Sequence, residues 1–140
     1  MGWLNRPYSQ PDVCRKDFEE WVKKYLLPGS GIQCNSIDLY SARCGIIHSF
    51  TYESKKTRES KAKKIVYTWG KAKAEDFQEV IDSIGGFSII TLHINKLHEA
   101  FLMGVKRFIQ SLSDDSKKAK IVYKRANKFF TSFPPLKIKK

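Results

Sequence analysis

Arg43 and His48 are the two residues of this sequence whose types and spacing are best suited to chemistry. They lie in an otherwise apolar segment, where an arginine loses hydration and needs an anionic partner from the protein or from a ligand. Histidine donates and accepts protons near neutral pH. An arginine that holds a phosphoryl oxygen and a histidine that moves protons are enough to cleave RNA, since the ribose 2′-hydroxyl supplies the nucleophile. This chemistry requires no metal ion and no cofactor.

The residues around this pair follow a recognisable order. Leu39 and Tyr40 precede Arg43, and Ile46 and Ile47 precede His48. The segment resembles the signature of the HEPN superfamily (higher eukaryotes and prokaryotes nucleotide-binding domains), in which a histidine follows an arginine after a short spacer near a helix end. Members often have a polar residue directly after the arginine, commonly asparagine, where this chain has Cys44.

This resemblance implies a helical bundle and a role in RNA metabolism. The superfamily includes metal-independent endoribonucleases of toxin–antitoxin, abortive-infection and other defence systems, and also members that only bind. By the resemblance, Arg43 would hold the scissile phosphate and His48 would act as general base or acid. Two such motifs usually meet across a homodimer, so the resemblance also implies a symmetric dimer.

A purely structural interpretation of the same pair is open at this point. In it, Arg43 pairs with a nearby carboxylate such as Asp38, and His48 caps a helix end. Residues five apart on a regular α-helix are about 140° apart around its axis, which separates the two side chains. Gly45, or the end of the helix before His48, would bring them together.

The remaining histidines and the cysteines offer less chemistry. His93 is expected on a strand as a half-exposed residue, and His98 on a helix surface. The three cysteines are odd in number and match no metal-binding spacing, so we expect free thiols in a reducing compartment and no metal site. They are Cys14, Cys34 and Cys44.

Positive charge is strong and unevenly distributed. Lysine and arginine number 26 against 14 acidic residues, for a formal charge of +12, with basic residues concentrated in 55–73 and 117–140. Segregated positive charge indicates a surface for a polyanion, most often nucleic acid. The alternative is a lysine-rich surface that only keeps the protein in solution. The candidate nucleic-acid-binding residues are Lys55, Lys56, Arg58, Lys61, Lys63, Lys64, Lys117, Lys118, Lys124 and Arg125.

Apolar spacing predicts the elements that position these residues. Helical periodicity with recognisable start and stop residues is found in five segments. They are 11–27, 36–48, 74–84, 95–112 and a last helix that begins at Ser113 or Asp114 and ends at Pro134. Ser36 and Asn95 are the expected N-caps of the second and fourth helices. Two β-branched segments, 64–69 and 87–94, predict strands, and 51–63 is expected as an exposed loop or frayed helix.

The sequence therefore predicts a mainly α fold in a single domain, 1–140. A helical bundle of about five helices, from 11–48 and 95–133, would carry a strand–helix–strand insertion at about 64–94 and a basic tail at 134–140. Two strands do not form a stable sheet alone, so they must lean on the helices or complete a sheet with a second subunit. A true α/β layer is the competing fold.

Several classes of protein are disfavoured. No apolar run approaches the roughly 20 residues that cross a bilayer, and the N-terminal residues do not resemble a secretory signal. We therefore expect a cytoplasmic protein that does not enter membranes. Two functions remain: an RNA-binding or RNA-cleaving domain, or a non-enzymatic antitoxin, inhibitor or accessory factor whose basic surface binds nucleic acid or an acidic protein.

Overall fold

The computed structural model describes residues 14–49, 54–85 and 88–130. Within these ranges six α-helices and two strands follow one another, with two π-helical turns at Val22–Leu26 and Gly45–Ser49. The predicted mainly α fold with a small strand insertion is confirmed. The elements are α1 (Arg15–Trp21), α2 (Ser36–Cys44), α3 (Lys55–Arg58), β1 (Lys64–Thr68), α4 (Ala74–Ile84), β2 (Ile89–His93), α5 (Ile94–Ser113) and α6 (Ser116–Phe130).

Helix α1 and the π-helical turn that follows it form one continuous segment, 15–26, which we call the first helical segment. The core forms where this segment crosses α5. After α1 the backbone widens, and the N–H of Leu27 donates to the carbonyl oxygen of Val22, five residues earlier, at 3.0 Å. The turn buries Val22, Tyr25 and Leu26. Gly104 of α5 permits this contact, because a Cβ there would lie only 3.1 Å from the Leu26 Cα and from the Tyr25 carbonyl oxygen.

The two strands form a parallel pair, with Ile65 opposite Ile90 and Tyr67 opposite Leu92. Ile65, Ile90 and Leu92 are buried in the same core as the first helical segment. The strands thus complete the bundle's core rather than forming a separate layer. The two strands thus pack against the helices, as expected for a sheet of only two strands.

Helix α4 crosses the opposite face of the strand pair and closes the outer edge of β2. The side-chain amide of Gln78 accepts a hydrogen bond from the Thr91 N–H at 2.8 Å and donates to the Ile89 carbonyl oxygen at 3.3 Å. One side chain therefore satisfies backbone groups that a further strand would otherwise use.

The apolar stripe of α4 does not lie in the core. Phe77, Val80 and Ile84 are 51%, 58% and 66% exposed, whereas Ala74 is buried and Ile81 half-buried. The helix was correctly expected from its spacing. Its polar Gln78 faces the strands instead of its large apolar residues, so that among the described residues this apolar face lies exposed.

Several predicted boundaries are corrected by capping geometry. Asn35, not Ser36, caps α2, and its side-chain oxygen accepts from the N–H groups of Ile37 and Asp38. His93, not Asn95, caps α5 through its ring Nδ1. The last helix begins at Ser116, where Asp115 accepts from the Lys118 N–H at 2.9 Å. A short helix, α3, occupies part of the expected loop. The predictions for 11–13, for 51–53, for position 87 and for 131–140 lie outside the described residues.

Candidate functional site

Asp38 fixes the helix that carries the Arg43 motif. Its carboxylate accepts hydrogen bonds from the backbone N–H groups of Asn35 at 2.9 Å and of Lys63 at 2.8 Å, and the residue is only 2% exposed. One oxygen thus holds the start of α2 and the other holds the chain just before β1. Both oxygens bind backbone groups, and no ion pair in the described part of the chain joins this carboxylate to Arg43, so the predicted pair between Arg43 and Asp38 is wrong.

Arg43 lies near the end of α2 with an exposed side chain. Its guanidinium carbon is 6.0 Å from the centre of the Phe18 ring, within the range of a cation–π contact. Among the described residues no carboxylate forms an ion pair with it. An aromatic ring attracts a guanidinium without neutralising its charge.

The backbone between Arg43 and His48 is not a regular α-helix. It widens into the π-helical turn Gly45–Ser49, in which hydrogen bonds span five residues. In such a turn, the angle around the axis between residues five apart is smaller than the 140° of an α-helix, so their side chains lie closer to one face. The backbone therefore favours placing positions 43 and 48 on one side. The side chain of His48 lies outside the part of the structure that is described.

An apolar groove of about 490 Å³ runs beside Arg43, between the first helical segment, the end of α2 and the start of α5. Ile46 and Ile47, both about half exposed, and Phe101 are among the residues along it. Arg43 and His98 both line it. A ligand in this groove would meet a guanidinium and an imidazole against apolar walls.

Sequence reasoning placed His98 on a helix surface, and it is exposed on α5. It did not predict that His98 shares a groove with Arg43. No local signal could have revealed this, because the two residues come from helices far apart in the chain and only the packing of α5 against the first helical segment brings them together. His93, also expected to be half-exposed, is so, and it serves as the cap of α5.

The ten candidate nucleic-acid-binding residues separate by exposure. Three are half-buried: Lys56, Lys64 and Lys118. The exposed members are Lys55, Arg58, Lys61, Lys63, Lys117 and Lys124. The exposed set spans both basic segments, so both remain candidates for contact with a polyanion.

Two of the ten candidate nucleic-acid-binding residues, Lys118 and Arg125, are engaged in the packing of the protein. The Lys118 ammonium donates to the hydroxyl of Tyr25 and to that of Ser111, each at 2.8 Å, and lies over the Tyr25 and Phe108 rings. Burial alone would raise the pKa of Tyr25, but these hydrogen bonds and the charge of Lys118 lower it. Arg125 is only 4% exposed. We therefore leave Lys118 and Arg125 out of the proposed nucleic-acid surface.

The three cysteines are free thiols in different surroundings. Burial raises the pKa of Cys34 to about 12, with a smaller contribution from the charge of Asp38, which keeps this thiol protonated and unreactive. Cys14 is exposed. Cys44 is half-buried, and its hydrogen bond with Tyr40 is the main reason that the pKa of that tyrosine is raised.

The described residues contain neither a candidate metal site nor a membrane-spanning helix. Histidine, cysteine, aspartate and glutamate side chains do not gather there into a group of three or more that could hold a metal ion. None of the described helices is both long enough and apolar enough to cross a membrane.

Comparison of this chain with protein-family models, with curated proteins and with solved structures returns no match.

Proposed function

We propose that this protein is an RNA-binding domain of the HEPN type that cleaves RNA without a metal ion, with Arg43 and His48 as its reacting pair. The observation that carries the proposal is the state of Arg43. Its guanidinium is exposed beside a groove, is oriented by Phe18 and pairs with no carboxylate of the described residues. An arginine kept in this state is suited to a phosphate, which it contacts through two N–H groups at once.

The chemistry assigned to the pair is a transfer within the RNA strand. His48 removes the proton from a ribose 2′-hydroxyl, whose oxygen attacks the adjacent phosphorus. Arg43 stabilises the negative charge that develops on the phosphoryl oxygens. The bond from phosphorus to the 5′-oxygen breaks, a proton is delivered to that oxygen, and the products carry a 2′,3′-cyclic phosphate and a 5′-hydroxyl.

The exposed lysines supply affinity in this proposal. Contacts from lysine to backbone phosphates position a strand but do not read its sequence. Two-fold pairing of the protein would bring two motifs together, as the resemblance implies. The π-helical turn supports the pairing of Arg43 with His48, because it shifts positions 43 and 48 towards one face of the helix.

The decisive experiment compares His48→Ala with the matched variant His98→Ala on an unstructured RNA, with and without a chelator. A positioned acid–base group contributes on the order of 10²–10⁴-fold, so His48→Ala should lose about that much activity. His98→Ala removes an imidazole from the groove beside Arg43 and should lose much less activity than His48→Ala, and the chelator should have no effect. Loss of activity in His98→Ala alone would move the histidine's role to α5. Cleavage that stops with the chelator would overturn the metal-independent mechanism.

A second candidate function is supported by the apolar face of α4. Phe77, Val80 and Ile84 are large, exposed and on one side of the helix, an arrangement that is typical of a surface for another protein. This observation favours a non-enzymatic antitoxin, inhibitor or accessory factor. Wild-type protein that binds RNA but cleaves none of a broad set of RNAs would decide for this alternative.

A further inference from the structure

A second pocket, of about 430 Å³, lies on a different side of α2 from the apolar groove. The helix contributes one wall and the segment around α3 contributes the other. The lining residues are Tyr40, Ser41, Cys44, Ser54, Lys55, Lys56, Glu59 and Lys61. Since Cys44 directly follows Arg43, this pocket and the candidate site occupy neighbouring faces of one helix.

A ring of three hydroxyl groups holds the two walls together. Ser41 of α2 is hydrogen-bonded to Ser54 and lies 3.2 Å from the Thr57 hydroxyl, while the hydroxyls of Ser54 and Thr57 are 3.0 Å apart. Ser41 and Ser54 are both buried. Because each hydroxyl can donate to the next, the ring satisfies its own protons and fixes the basic segment against the motif helix.

The charge of the pocket is strongly positive. Among the described residues that line it, three carry ammonium groups (Lys55, Lys56 and Lys61) and one carries a carboxylate (Glu59). Glu59 accepts a hydrogen bond from Lys61 at 2.8 Å and lies 3.8 Å from the Lys55 ammonium. The hydrogen bond from Lys61, with the charges of the three lysines, lowers the pKa of Glu59, as expected in a positive field. The four groups together carry a surplus of two positive charges.

We propose that this pocket binds a phosphomonoester dianion, namely the terminal phosphate of an RNA strand. A phosphomonoester carries a charge of about −1.5 to −2 at pH 7, which matches the surplus of the lining, whereas a backbone diester carries only one charge. Lysine binds phosphate as a point charge. The volume exceeds that of a phosphate alone and leaves space for the attached sugar. The choice of RNA, rather than a free nucleotide, rests on the proposed function.

In this arrangement Glu59 is an internal competitor for the ligand. The Glu59 carboxylate pairs with the lysine ammonium groups when the pocket is empty. A bound phosphate competes for these groups and repels the carboxylate. Glu59→Gln should therefore tighten the binding of a phosphorylated end, while Lys56→Gln and Lys61→Gln should weaken it. Lys106, an exposed lysine of α5 outside this pocket, provides the matched control Lys106→Gln.

The experiment measures fluorescence anisotropy with 2′-O-methyl oligonucleotides, which cannot be cleaved, of one sequence and three end types: 5′-phosphate, 3′-phosphate and hydroxyl. A phosphorylated end should bind about tenfold more tightly than the hydroxyl end, the size expected of a charge-assisted hydrogen bond. The preference should disappear in Lys56→Gln and Lys61→Gln and survive in Lys106→Gln. It should also fade as the pH falls below about 6, where the phosphate takes up its second proton.

The outcomes separate this inference from the proposed function. Equal affinity for all three ends would overturn the phosphate pocket and leave RNA binding intact. A preference that survives both lysine variants would overturn its location. Binding of inorganic phosphate or a nucleoside monophosphate that requires Lys56 and Lys61, without binding of any oligonucleotide, would support the pocket and overturn RNA as its source. Thermal unfolding of each variant checks that the fold is unchanged.

Discussion

At the scale of single residues, the surroundings of Arg43 determine which groups its guanidinium contacts. The carboxylate that the sequence offered as its partner, Asp38, is occupied by two backbone N–H groups. The guanidinium instead lies over an aromatic ring, which attracts the cation, and no carboxylate of the described residues pairs with it. An ammonium in the same place would keep the charge and lose the two-pronged contact.

Arg43→Lys should therefore abolish most RNA cleavage even though it conserves the charge. Loss of one preorganised contact to a developing oxyanion costs about 10²–10³-fold in turnover. RNA affinity, carried mainly by the lysines, should change little. The exposed Arg58 provides the matched control, since Arg58→Lys should retain the wild-type rate. Full activity in Arg43→Lys would mean that Arg43 contributes only charge, or nothing, to the reaction.

Residue type and spacing identified Arg43 and His48 as candidates, and composition identified the basic segments. Neither could show that Arg125 is buried or that Lys118 holds α6 against Tyr25. Burial of a long cationic side chain depends on which helix packs beside it, and a single sequence carries no local mark of that. The contact of Arg43 with Phe18, twenty-five positions earlier, was hidden for the same reason.

At the scale of elements, the close crossing of α5 over the first helical segment depends on Gly104. A Cβ at this position would lie 3.1 Å from backbone atoms of Leu26 and Tyr25, and backbone cannot rotate away as a side chain does. Gly104→Ala should thus lower the free energy of unfolding by about 1–3 kcal/mol, the usual cost of overpacking. Urea denaturation measures the loss. Glu99→Ala, on the exposed side of the same helix, should change stability by no more than about 0.5 kcal/mol, and an equal loss in both variants would contradict the close-contact argument.

The strands and the longer helices were predictable because apolar spacing and β-branched residues report directly on local structure. The π-helical turns were not, since the same residues form an α-helix unless tertiary packing favours the wider turn. The orientation of α4 was also unpredictable. Its spacing predicted the helix over 74–84 but not that Gln78 faces β2, where the side-chain amide pairs with the strand's outer backbone groups.

At the scale of the whole molecule, the separation of charge predicts a steep salt dependence of RNA binding. The logarithm of the binding constant should fall by about 0.7 for each phosphate contact per tenfold rise in salt for a single strand. Replacing the exposed Lys61, Lys63 and Lys117 with Ala should flatten this slope. The control replaces three exposed lysines outside both basic segments, namely Lys16, Lys23 and Lys106. Equal flattening in both triple variants would indicate diffuse attraction rather than a defined surface.

The exposed apolar residues next to Arg43 provide a surface through which two copies of the protein could assemble. Ile46 and Ile47 are about half exposed beside Arg43, and the groove next to them is apolar along most of its length. Burying these side chains against a second copy would remove apolar surface from water and bring two motifs together around one two-fold axis. Light scattering at micromolar concentration should therefore report a dimer.

Ile47→Asp should yield a folded monomer that no longer cleaves RNA, because each site would lack its partner's motif. Ile109→Asp, at an equally exposed position of α5, should stay dimeric and active. A wild-type monomer that cleaves RNA at full rate would show that one copy of Arg43 and His48 is sufficient.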